Sequence, residues 1–200
     1  MADEASTGAA GASAHQSGGF WYTWWRGDAL PDLAAPTDLA VSRLADPAEI
    51  ARATGLAASA TLGWRADGHR CYVVRLGAET AGYGWSATSH AAIGELGLAF
   101  ALEPGNRYLW GFVTLLAWRG QGVYPSLLQA ILRQEGAEAA RFWIGHAPDN
   151  DASAHGILRA GFQRVGELWL LGGGGMVLHA AAPGERAAAG AAVLGVPLAP

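Results

Sequence analysis

The stretch from Tyr108 to Gly136, YLWGFVTLLAWRGQGVYPSLLQAILRQEG, limits what this chain can fold into more than any other. Its first part, YLWGFVTLLAW, is apolar and rich in aromatic residues, as a buried strand is, and PSLLQAILRQEG carries apolar residues at helical spacing up to a glycine stop. Between them stand Arg119-Gly120-Gln121-Gly122, room for a tight turn and little else. The local order is therefore strand, glycine turn, helix, with Pro125 expected at the first helical position, where its fixed φ suits the helix.

A helix N-terminus leaves backbone N–H groups without intrahelical partners and carries partial positive charge, so a glycine turn that exposes it makes an anion site. Gly120 and Gly122 remove side chains that would block close approach, and Arg119 adds charge. On these residues alone the stretch reads either as a phosphate cradle built of backbone or as a strand-to-helix turn that needs glycine for steric reasons. The nucleotide-binding pattern GxxxxGK[ST] is excluded, because the chain has no lysine, and GxGxxG is absent from this turn.

The rest of the chain supplies an α/β frame. FWYTWWRGD, Phe20 to Asp28, suits a first strand closed by a Gly-Asp turn. Asp46 as N-cap, Pro47, Glu49 in the first turn and Gly55 at the stop predict a helix over Pro47 to Thr54, and LAASATLGW can form a second. CYVVRLGAETAGYGWSA reads as a hairpin turned at Gly77 to Glu79, and the turn Glu103 to Asn106 splits IGELGLAFALEPGNRYLWGFVTLL into two strands. ARFWIGHA is a short strand, DNDASAHGILRAGF a helix capped by Asn150 or Asp149 and ended by Gly161, and FQRVGELWLLGGGGMVLHA two strands joined by Gly172 to Gly175. The expected order is β-α-(α)-β-β-β-α-β-α-β-β, a mixed α/β (α+β) domain over 19–182, with loose tails at 1–18 and 183–200.

Composition narrows the partners. Half of the 200 residues are apolar, enough for one sizeable core, and the net charge of −4 with no basic cluster argues against nucleic acid. All 13 basic residues are arginine, which codon bias explains without any functional demand. The single cysteine, Cys71, lies in a strand-like segment as a small hydrophobe; it leaves no disulfide framework and no cysteine-rich metal site, and it points to a reducing, cytoplasmic setting. Asp3 and Glu4 do not suit a secretory signal, and no apolar run reaches the roughly 18 residues of a membrane span.

Read from Arg119 to Tyr124, the glycine turn matches R-x-x-G-x-[GA] up to its last residue, and it resembles the acetyl-CoA pyrophosphate loop of the GNAT superfamily of N-acyltransferases. NDASAHGILRAGF is similar to that family's N-x-x-A-(x)7-GF segment, with Asn150, Ser153, Gly161 and Phe162 in register. The resemblance covers roughly Phe20 to His179, with the informative motifs between about 110 and 166. It implies a GNAT-like mixed, mostly antiparallel sheet flanked by helices, with acetyl-CoA as co-substrate and no metal. Pantetheine would insert between the splayed fourth and fifth strands at Phe112, Val113 and Thr114. The pyrophosphate would lie on Arg119, Gly120, Gln121, Gly122, Val123 and Tyr124, and Asn150 would touch the CoA arm or simply cap its helix.

The implied reaction is direct attack of a neutral primary amine, on a small molecule or a peptide, at the thioester carbonyl. Three departures bear on it: Ile157 stands where the family commonly has the tyrosine that protonates the leaving thiolate, Tyr124 replaces the loop's last small residue, and Tyr108 to Leu115 contains no carboxylate. Candidate bases elsewhere are Glu95 and His146, ahead of His155 and His90; a solvated carboxylate and a loop histidine making one local hydrogen bond are the plain alternatives. These departures also admit a module of the same fold that binds acyl-CoA without transferring the acyl group, as sensor or interaction partner. Tryptophans 21, 24, 25, 64, 85 and 110 belong either to the core or to an acceptor groove opposite CoA, and a homodimer is compatible with the sequence.

Overall fold

The computed structural model describes residues 15–199. Eleven strands and five helices follow one another as β1 (Gln16–Trp25), β2 (Leu39–Leu44), α1 (Pro47–Thr54), α2 (Ala58–Ala66), β3 (Arg70–Leu76), β4 (Glu79–Ala87), β5 (His90–Ile93), β6 (Leu98–Ala101), β7 (Asn106–Thr114), α3 (Val123–Glu135), β8 (Arg141–His146), α4 (Asp151–Arg159), β9 (Gln163–Leu170), β10 (Met176–Ala180), α5 (Glu185–Leu194) and β11 (Leu198–Ala199). Nine strands form one sheet in the order β11-β10-β9-β1-β8-β7-β4-β3-β2, and β5 and β6 pair as a separate hairpin. The large sheet is antiparallel except at β7–β8 and β10–β11.

Both faces of this sheet are covered, which explains the unbroken apolar runs in the sequence. Tyr22, Tyr72, Val74, Leu109, Phe142 and Ile144 turn to one face and pack under α3 and α4 against Leu127, Leu128, Ile131 and Ile157. Their chain neighbours Trp21, Tyr108 and Trp143 turn to the other face, under Ala191 and Leu194 of α5. Cys71, Val73, Tyr83 and Trp85 meet Ile50 of α1 on that same face. At about 25 cal/mol per Å² of apolar surface, each fully buried Leu or Ile contributes roughly 1.5–3 kcal/mol.

Helix α1 has the predicted bounds, and the Asp46 carboxylate accepts from the Ala48 N–H at 2.9 Å as its cap. Several expectations are corrected. The first strand starts earlier, since Gln16 and Ser17, placed in the N-terminal tail, pair with β9 ahead of a bulge at Gly18; residues 1–14 of that tail lie outside the described residues. The short edge strand β2 and strand β5 were not predicted. Where a tail was expected over 183–200, α5 and β11 form. Its small residues permit this: a Cβ added at Gly190 would stand 2.8 Å from Val165 and 3.3 Å from Trp21, so the helix seats on the sheet only with glycine there. Helix α3 begins at Val123, so Pro125 is its third residue, still inside the first turn where a missing N–H is harmless.

Candidate functional site

The site begins where two strands part. The parallel pair β7–β8 runs only from Asn106 opposite Arg141 to Leu109 opposite Ile144. Beyond that, β8 pairs with β1 alone through His146, while β7 stays with β4 through Thr114. The β8-side edge of Trp110 to Thr114 therefore has no strand partner among the described residues.

A bulge shapes that edge. Gly111 and Phe112 together oppose the single residue Gly84, and Gly111 takes the left-handed φ of +63° that such a bulge needs. The Phe112 ring lies directly over Gly84, where any Cβ would overlap it.

Past Thr114 a 3-10 turn, Leu116–Trp118, leads into the glycine turn. The Arg119 Nε donates to the Thr114 carbonyl at 3.2 Å, tying the turn to the strand end. The Gln121 amide donates back to the Ala117 carbonyl at 3.0 Å. Gly120 and Gly122 hold φ of +75° and +78°, a region that costs other residues about 1–2 kcal/mol. Gly122 caps α3 with no side-chain cap bond, and the first bond of the helix runs from the Ser126 N–H to the Gly122 carbonyl at 3.2 Å. The N–H groups of Gly122, Val123 and Tyr124 thus have no backbone partner among the described residues and stand at the positive end of the helix.

These pieces border a groove of about 540 Å³ between the turn, β7 and α4. Of the residues singled out in the sequence, Phe112, Val113, Thr114, Arg119, Gly120, Gly122, Val123, Tyr124 and Asn150 line it; Gln121 does not. Asn150 also caps α4, its side chain accepting from the Ser153 N–H at 3.0 Å, so both readings of that residue hold together geometrically. The lining contains Arg119, Arg159 and His155 and no carboxylate, so the groove presents positive charge to an anion. Arg159 is not among the residues singled out in the sequence, and His155 stands there behind Glu95 and His146. Their signal is the spacing Ala152, His155, Gly156, Arg159, one face of α4.

The Tyr124 ring enters the groove from the first turn of α3. It packs on Phe112 at a centroid distance of 5.4 Å and fills the space above Gly156, where a Cβ would overlap it. Its hydroxyl lies 3.2 Å from the Ser153 Oγ; burial pushes the phenol up to about 12, the Ser153 hydrogen bond pulling the other way.

The two candidate bases fall elsewhere. Glu95 is exposed on a 3-10 turn after β5, outside the groove lining. Its charge reaches Tyr108, whose phenol is raised by burial first and by Glu95 second. His146 ends β8 beyond the last β7 pair and is also outside the lining. Its Nδ1 donates to the Ala147 carbonyl at 2.7 Å, and its Nε2 lies 3.0 Å from the Tyr22 hydroxyl, which donates to it when the ring is neutral. Both ring nitrogens are engaged, Nδ1 by the following residue and Nε2 because β1 crosses beside β8 and brings Tyr22, with Phe20, against the imidazole. The tryptophans divide: Trp21, Trp24 and Trp85 are buried in the core. The Trp25 ring is in contact with the guanidinium groups of both Arg141 and Arg186, at 4.2 Å and 4.6 Å, and Trp64 and Trp110 line a second cavity. No helix among the described residues is long and apolar enough to cross a membrane.

No family model and no curated protein matches the sequence. Solved structures do match the fold. A GCN5-related N-acetyltransferase from Kribbella flavida aligns over 76% of this chain and 56% of its own, at 17% identity and a TM-score of 0.52. A tandem GNAT protein from the clavulanic acid biosynthesis pathway aligns over 76% and 51%, at 17% identity and 0.52. A GCN5-related N-acetyltransferase from Sphaerobacter thermophilus aligns over 75% and 50%, at 13% identity and 0.51. The chain spans about half the length of these structures. It has the GNAT fold: a mixed, mostly antiparallel sheet flanked by five helices.

Proposed function

We propose that this chain is an N-acetyltransferase that moves an acetyl group from acetyl-CoA to a primary amine by direct attack, within one domain that extends to α5 and β11. The observation that carries the reading is the carboxylate-free groove, in which leftover N–H groups of α3, two arginines and an unpaired strand edge lie along one path. The residues present fit acetyl-CoA: Gly122, Val123 and Tyr124 would take the pyrophosphate on backbone N–H groups, Arg119 and Arg159 would supply charge, and the free edge at Phe112 to Thr114 would receive the pantetheine amides as an added strand does. The co-substrate supplies an activated thioester. In the transfer the amine nitrogen bonds to the acetyl carbon, the C–S bond breaks, and the proton lost by the nitrogen is matched by the one the departing thiol takes up.

The chain's own contribution is placement and charge. A backbone N–H on the free edge of β7 can donate to the developing oxyanion, in a groove walled by Phe112, Trp118 and Tyr124 that limits water. The phenol lining the groove is Tyr124, and we assign it as the hydrogen-bond donor to the departing sulfur in place of the residue at Ile157, which is fully buried in the core. Of the candidate bases Glu95 and His146 lie outside the groove and His155 lines it; with neither leading candidate in place, the amine is expected to react from its free-base population, with rate rising toward the amine's own pKa. That same observation favours the second reading, an acyl-CoA-binding module that transfers nothing. The single cysteine, Cys71, is buried and has no second cysteine in the chain to pair with, which supports a reducing, cytoplasmic setting.

Calorimetric titration of acetyl-CoA into the wild type and Gly122→Glu tests the cradle, with acetyl transfer to a panel of amines run in parallel. Micromolar binding abolished by Gly122→Glu, with turnover, is the expected result. Binding without transfer to any amine selects the module, and a folded wild type that does not bind acetyl-CoA refutes both.

A further inference from the structure

On the opposite face of the sheet from the acetyl-CoA groove, Trp64, Trp85 and Trp110 gather at the same stretch of β7. Trp64 stands edge-on to both others, at 5.0 Å and 5.1 Å, and Trp85 stacks on Trp110 at 5.7 Å. Their packing fixes the exposed parts of Trp64 and Trp110, which with Asp67, His69 and His90 wall a cavity of about 370 Å³ floored by alanines. The Trp110 Nε1 donates to the His69 Nδ1 at 2.9 Å, and the His69 backbone N–H donates to the Trp64 carbonyl at 2.8 Å, so ring and loop are held in place. Trp110 directly precedes Gly111 of the bulge, and Phe112, two residues on, lines the first groove. The two cavities therefore flank one three-residue segment, at the point where β8 has left β7 and the sheet is open.

The chemistry of this cavity favours a cation. Aromatic faces attract cations through their quadrupole, and the lining holds one carboxylate, Asp67, with no arginine. The nearby arginines Arg43, Arg65 and Arg70 line a separate cavity on the other side of His69. Burial lowers the His69 pKa, with Asp67 opposing, so the ring adds no charge near neutrality. With Nδ1 accepting from Trp110, the proton of neutral His69 sits on Nε2, which is then a donor and not a base. Few polar groups and a volume at the small end for ligand sites suit a compact molecule with one charged head.

We propose that this cavity is the acceptor site, and that the acceptor is a compact, largely apolar or aromatic primary amine that binds as its ammonium against Trp64, Trp110 and Asp67, gives its proton to solvent water, and reaches the thioester as the free base through the opening between β7 and β8. The proposal rests on the acetyltransferase reading, yet its binding step can be measured without acetyl-CoA. Calorimetry and tryptophan fluorescence on the full chain would use phenyltrimethylammonium, which cannot be acetylated, together with phenethylamine and its neutral analogue phenethyl alcohol. The expected result is saturable binding of both cations and about tenfold or more weaker binding of the alcohol. A loss of about tenfold or more is also expected for the amines in Trp64→Leu and in Asp67→Asn, with acetyl-CoA affinity unchanged. Equal binding of amine and alcohol, no saturable binding by the folded wild type, or full affinity in both variants overturns it. Amine binding that survives while acetyl-CoA binding fails would refute the transferase reading and leave a cation site standing.

Discussion

Glu135, in the last turn of α3, offers a sharp test of what holds the helix to the sheet. Its carboxylate is 1% exposed and accepts from Arg70 at 2.9 Å, from the Tyr72 hydroxyl at 2.8 Å, and from the Arg107 Nε. Arg70 would survive its loss, since its other arm meets the more exposed Glu138 at 2.7 Å. Arg107 would not: its side chain is 6% exposed, and it would keep only the Asn106 carbonyl at 2.8 Å and a contact to Glu138 at 3.4 Å. Removing one partner of a buried pair costs about 3–5 kcal/mol because the remaining charge stays buried. Near the melting point of a chain this size, each kcal/mol is worth about 2–4 °C. Glu135→Ala should therefore melt roughly 6–20 °C below the wild type by circular dichroism. Combining Glu135→Leu with Arg107→Leu should recover at least half of that loss, because no buried charge is then stranded. A shift of less than about 3 °C for Glu135→Ala would refute the reasoning, as would a double variant no more stable than the single one.

Two further outcomes follow from titratable groups. Tyr124→Phe removes the bond to Ser153 and the groove's phenol. Acetyl-CoA affinity should hold while turnover falls about fivefold, the worth of one hydrogen bond of ~1 kcal/mol, and steady-state kinetics showing an unchanged rate would take the phenol out of the reaction. For His69, burial depresses the folded pKa below the usual histidine value of about 6.5, so the unfolded chain binds the proton more readily. Stability is then full above the unfolded pKa and is lost as pH falls through the folded one; denaturant midpoints should drop on acidification below about pH 6.5, and a His69→Gln variant should lose that part of the slope.

How far the sequence discloses this molecule depends on which signals its packing leaves intact. The strand, glycine turn and helix around Gly122 are legible because each uses a strong local device, and the same holds for α1 with its Asp46 cap. Strand alternation is not legible, because FWYTWW, CYVV and RFWI are buried on both faces and so carry no polar side. Strand β2, LAVSRL, escapes notice as a short edge strand whose Ser42 and Arg43 face water. Helix α5 looks like low complexity because its contact with Trp21 and Trp143 demands small residues. In the site, backbone positions are readable and side-chain partners are not: nothing local to His146 shows that Tyr22, 124 residues earlier, occupies its ring nitrogen.

The departures at 124 and 157 explain each other once the groove is built. A tyrosine at position 157 would have no place to go, since Ile157 is fully buried on the inner side of α4 in the cluster that holds Leu127, Leu128 and Phe162. The aromatic side chain arrives instead from Tyr124, and the room it needs is vacant because position 156 is glycine; even an alanine there would overlap the ring. Ser153, on the same side of α4, supplies the hydroxyl that meets the phenol. Residues 124, 153, 156 and 157 thus act as one unit, in which a ring from α3 is seated on α4 by a missing Cβ. Overlap between a helix residue and a packed ring is relieved only by moving one of them, at about 1–3 kcal/mol. Gly156 is therefore tied to Tyr124: alanine at 156 requires a smaller residue at 124, and the pair of changes would empty the wall against which Phe112 now packs.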